Sequence, residues 1–128
     1  MTSLAQQVLL VALGGAGGAA ARFLTVGAVS ARWGNAFPFG TLSVNVLGAL
    51  VVGVLFVQFG ERHPGALAWR ALLITGFLGG YTTFSAFSLE TLRLLEAGEA
   101  LRALVYVLAS VTLCVLGCWL GMCVARQF

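Results

Sequence analysis

"GFLGGYTTFSAFSLET", residues 76–91, decides the fold. It lies within an apolar run, yet the adjacent glycines Gly79 and Gly80 are followed by hydroxyls interleaved with two phenylalanines. Each glycine costs a helix about 1 kcal/mol relative to alanine. Tyr81-Thr82-Thr83 continues a helix poorly, and Thr82 or Thr83 can cap a new helical start. The stretch is therefore predicted to form two half-helices that meet at an unwound break.

The surrounding sequence puts that break in a membrane. Of 128 residues, 60% are hydrophobic and only 9% charged, and the mean hydropathy is +1.02, a composition of integral membrane proteins. Apolar runs at 4–29, 40–59, 68–95 and 101–124 are each near or above the ~20 residues that cross a bilayer. Residues 1–128 are thus predicted to be one all-α, four-helix transmembrane domain, with the third helix broken at mid-membrane. Backbone broken at that depth is tolerated only where protein buries it or where it lines a cavity. Its free carbonyls can hold a cation, and the following helix N-terminus favours an anion. The first run is read as a real helix and not as a signal peptide: "MTSLAQQ" carries no Arg or Lys and the apolar stretch is too long.

Charge is sparse, with seven Arg, four Glu, no Lys and no Asp. No basic cluster exists, so no nucleic-acid partner is expected. With four spans, Arg62, Arg70 and Arg126 fall on one side, and Arg32, Arg93 and Arg102, with Arg22 near the end of the first span, on the other. Such a flat distribution gives no positive-inside bias. Two arrangements satisfy it: opposed copies paired as an antiparallel homodimer, or a single orientation fixed by another factor. Gly14/Gly18, Gly76/Gly80 and Gly117/Gly121 are G-x-x-x-G pairs that allow close helix approach. "GAGGAA" at 15–20 mimics a dinucleotide fingerprint but lacks the strand and the downstream acid.

Several residues are candidates for a site. Phe84 and Phe87 share a helical face, and Ser85 and Ser88 make an adjacent pair. Positive ring edges attract an anion without a formal charge, although two such rings also serve as ordinary packing. Asn45, five residues inside an apolar run with Thr41 and Gly48 on its face, needs a partner helix or a wet cavity, because an unpaired amide in hydrocarbon costs several kcal/mol. Tyr106, Ser110, Cys114 and Cys118 recur every four residues along one side of the last helix, as a hydrophilic track or as packing contacts. With no His or carboxylate on their span, Cys114, Cys118 and Cys123 read as small hydrophobes. Arg22 snorkels or faces a water-filled vestibule, and Glu90, two turns past the break, faces the same water. Nothing here pairs a nucleophile with a base, and no enzyme activity is expected.

Together, "GFLGGYTTFSAFSLE", "FPFGTLSVNVLGAL" and "GGAGGAAARF" resemble the small bacterial fluoride channels of the Fluc/CrcB family, over essentially the whole chain. The resemblance implies a fluoride-selective channel of the bacterial inner membrane that lets toxic cytoplasmic fluoride leave passively. It further implies an antiparallel dual-topology homodimer with two pores and a central structural sodium ion. The Na⁺ ligands would be the backbone carbonyls of Gly79 and Thr82. Fluoride would meet Asn45, Thr83, Phe84, Ser85, Phe87, Ser88, Tyr106 and Ser110. Arg22 and Glu90 match characteristic residues of the vestibule or scaffold. The family's track continues with hydroxyls where this chain has Cys114 and Cys118.

Two other readings compete. A small dual-topology drug/proton antiporter needs an acid in its first span, where this chain has Arg22 and no acid. A non-conducting assembly subunit would leave the stripes of Asn45, Thr82–Ser88 and Tyr106–Cys118 without a common purpose.

Overall fold

The computed structural model describes residues 3–128. Its elements are all helical among the described residues, and four segments are long and apolar enough to cross a membrane. They are α1 (Leu4–Trp33), α2 (Phe39–Arg62), a third segment Leu67–Glu96, and α5 (Ala100–Gln127). The third segment consists of α3 (67–81) and α4 (Phe84–Glu96).

Each helix outruns its apolar core because polar groups finish its ends. Ser3 starts α1 with a capping box, its Oγ accepting from the Gln6 amide at 3.3 Å while its own amide donates to Gln6 Oε1 at 2.8 Å. Gly34, with φ of 75°, stops it, and Gly98, with φ of 76°, turns α4 into α5. The end of α2 (Val57–Arg62) and the stretch Arg70–Leu78 of α3 are wound as π-helix. At the first, the His63 amide donates five residues back to the Gln58 carbonyl at 3.1 Å.

Two helix pairs dominate the packing, α1 with α3 and α2 with α5. Glycine sets the spacing of both. A Cβ on Gly14 or Gly18 would overlap the carbonyl oxygens of Leu72 and Phe77, one on Gly80 would meet the Gly15 carbonyl at 2.5 Å, and one on Gly121 would overlap that of Leu50. Between the pairs lies a small core in which Val44, Val57 and Tyr106 are almost wholly covered. The large apolar side chains otherwise point outward on every helix, Leu108 and Trp119 among them. A surface that is apolar all round is covered by lipid or by other protein.

The third segment is interrupted one step later than its glycines suggest. Gly79–Tyr81 stays helical, and the chain extends only at Thr82 (φ −87°, ψ 158°) and Thr83 (φ −152°, ψ 118°). Gly80 is needed for the close approach of α1, not for the break.

Candidate functional site

The break is held by side chains from two earlier helices. Thr83 caps α4, its Oγ1 accepting from the Ala86 amide at 3.2 Å. Its own peptide is clasped by Asn45 of α2: the Thr83 amide donates to Oδ1 at 2.7 Å and Asn45 Nδ2 donates to the Thr83 carbonyl at 3.0 Å. Asn45 thus has the partner its burial demands, and it also lines a cavity. The clasp has a further effect. In an unbroken helix the Thr83 amide would serve the Gly79 carbonyl; committed to Asn45, it releases that carbonyl. The next free carbonyl, that of Thr82, accepts from Arg22 of α1 at 3.2 Å. Arg22 is half-buried and is therefore tied to the break, with its charge beside it.

A cavity of about 550 Å³ opens beside this backbone, walled by Asn45, Thr82, Thr83, Phe84, Phe87 and Ser110 together with apolar side chains and Cys114. The Phe84 and Phe87 rings lie 5.3 Å apart at 38°. They differ in setting: Phe84 is 78% exposed and Phe87 is 9%. Ser110 is 6% exposed, and its buried hydroxyl has no hydrogen-bond partner. Buried hydroxyls are normally satisfied, so this one is available to a guest.

On the far side of Phe87 sits a second polar cluster. Glu90 accepts from Thr41 Oγ1 and from Tyr106 OH, each at 2.7 Å. The Tyr106 ring packs on Phe87 at 5.2 Å and edge-on against Phe37 at 5.6 Å. Glu90 and Thr41 line a separate cavity of about 560 Å³ whose rim carries Asn35, Arg93, Glu99 and Arg102. Thr41 had not been singled out as a site residue; its spacing from Asn45, one turn earlier on the same face, was the available signal.

Not every candidate joins the cavity beside the break. The Ser88 hydroxyl donates to the Phe84 carbonyl at 2.9 Å and Ser85 pairs with Thr83 Oγ1 at 3.2 Å; neither lines that wall. The stripe on α5 divides, with Tyr106 at the Glu90 cluster, Ser110 and Cys114 at the cavity, and Cys118 outside it, its carbonyl against Gly53 of α2.

Comparison with known proteins agrees with this architecture. Residues 9–122 match the family described as CrcB-like protein, Camphor Resistance (CrcB). Two proteins named "Fluoride-specific ion channel FluC", from Coxiella burnetii and Magnetococcus marinus, are 49% and 51% identical to the chain, each over 94% of it and 98% of their own length. One of the same name from Geobacter sulfurreducens is 48% identical over 94% of the chain and 97% of its own length. The chain is a member of the CrcB family.

Proposed function

We infer that the protein is a fluoride-selective ion channel that lets cytoplasmic fluoride leave the bacterial cell passively across the inner membrane. The observation that carries this is near-half identity, end to end, to proteins named as fluoride-specific channels. It is a conduit and not an enzyme.

Fluoride is small and strongly hydrated, so a pore must replace its water with good donors yet let it go. This chain offers neutral ones. Ser110 has an uncommitted O–H; Asn45 Nδ2 carries a second proton beyond the one given to Thr83; and the Phe84 and Phe87 rings present positive edges. The Glu90 charge, which alone would repel an anion, is engaged by the Thr41 and Tyr106 hydroxyls. Tyr106 therefore reaches the path when Glu90 lets go of its proton.

Two copies pair antiparallel, with the break at mid-membrane and its free carbonyls turned toward the partner. The flat arginine distribution and the outward apolar faces support this. The released Gly79 carbonyl, and the Thr82 carbonyl with one lone pair left beside Arg22, are hard oxygen donors that fit a sodium ion. Such an ion supplies fixed positive charge that holds the two breaks together.

The test is fluoride efflux from liposomes, followed with an electrode. Wild-type protein passes fluoride and not chloride; Phe84→Ile or Phe87→Ile slows fluoride about tenfold or more, equivalent to roughly 1.4 kcal/mol in the barrier. Unchanged efflux in both variants would remove the rings from the pathway, and equal chloride flux would sink the function.

A further inference from the structure

We propose that Cys114 is a covalent modification site through which a small, uncharged, thiol-directed electrophile closes the fluoride path. The proposal rests on reading the cavity beside the break as part of that path. Cys114 stands one turn beyond Ser110 on the same face of α5, and both belong to the cavity wall with Asn45, Thr83, Phe84 and Phe87. The independent sign that this wall receives a guest is the Ser110 hydroxyl, more than nine-tenths buried and without a partner. Cys114 is a free, half-buried thiol. Cys118 and Cys123, on the same helix, lie outside the wall.

The wall chooses the reagent class. Apolar side chains and two phenyl rings surround the thiol, and the Arg22 guanidinium lies at the edge of the break, so an uncharged aromatic group enters where a cation is repelled. With benzyl methanethiosulfonate the Cys114 thiolate attacks the sulfenyl sulfur. A new S–S bond forms, the S–SO₂ bond breaks, methanesulfinate leaves with the electron pair, and the thiol proton passes to buffer. The benzylthio group then lies one turn from Ser110, against Phe84 and Phe87, where it covers the free hydroxyl.

The experiment uses the full-length protein in liposomes, treated with benzyl methanethiosulfonate at mildly alkaline pH. Efflux is compared before and after treatment within each variant, and the labelled cysteine is identified by peptide mass. Wild-type efflux is expected to fall about tenfold and to return with dithiothreitol, roughly 1.4 kcal/mol in the barrier. Cys114→Ala and Cys114→Ser are expected to be insensitive, and Cys118→Ala and Cys123→Ala as sensitive as wild type. Sensitivity that persists in both Cys114 variants, or Cys114 labelled with efflux unchanged, overturns the proposal. Liposomes that pass no fluoride before treatment overturn the channel reading as well; normal flux that labelling leaves untouched strikes only this inference.

Discussion

The two halves of the interrupted third segment are held in opposite ways. α3 lies against α1 along a glycine seam, backbone to backbone. α4 touches only α5 and α2 to any extent, and its Phe84, Leu89, Leu92 and Leu95 are 78%, 54%, 58% and 49% exposed. What fixes α4 is one buried ring, Phe87, and one carboxylate, Glu90, bound by hydroxyls from both neighbours. Close-packed helices tolerate no added volume, whereas an arm tethered by polar contacts loses its position when a few donors are removed. The break therefore joins a rigid rod to a positionable arm.

Attacking the rod should do most damage. Gly18→Val places side-chain carbon on the Phe77 carbonyl, and the cost should exceed the roughly 1–3 kcal/mol of ordinary overpacking; the check is loss of monodisperse protein on size exclusion in detergent. Gly27→Ala, where an added Cβ meets nothing within 4 Å, should leave the folded yield unchanged. Next comes the joint. Asn45→Leu orphans the amide and the carbonyl of Thr83, at about 1–3 kcal/mol for each group, and should lower the denaturation temperature and abolish efflux together. Asn45→Asp keeps the acceptor and loses the donor, so its effect should be about half as large.

The tether ranks third. Tyr106→Phe retains the ring contacts with Phe37 and Phe87 and removes one donor to Glu90, at about 1 kcal/mol. A cycle with Glu90→Gln should show the two changes to be non-additive, with efflux falling more than stability. The smallest effect belongs to the rim: Arg102→Ala removes a half-exposed pair with Glu99 and should change stability by less than about 0.5 kcal/mol. A larger loss there would mean that the arm is anchored at its far end and not by Glu90.

Much of this was legible in the sequence because apolar runs announce themselves. The four segments were read correctly in number and order, but short at their ends, since caps such as Ser3 and Gly34 are made by residues that hydropathy excludes. The interruption was placed on Gly79-Gly80, whereas Thr82-Thr83 leaves helical geometry. Glycine lowers helix propensity and also permits close approach, and a single chain of letters does not separate these uses. That Asn45 needs a partner followed from burial alone. That the partner is the Thr83 backbone, 38 residues away, did not, because backbone groups carry no sequence signature. Thr41 and Glu90, 49 residues apart, escaped pairing for the same reason. Ser85 and Ser88 were grouped with the site by spacing, but each bonds locally to its own turn.

The groups that satisfy the interrupted backbone all precede it along the chain: Arg22 reaches the Thr82 carbonyl from α1, and Asn45 takes the Thr83 peptide from α2. During synthesis the first two helices emerge before the kinked one, so its exposed polar groups find their receptors already waiting. The arm, by contrast, depends on Tyr106, which is made afterwards. A nascent chain stopped at Glu96 would therefore carry a settled joint and an undocked arm, and α5 would be the last piece to lock the assembly.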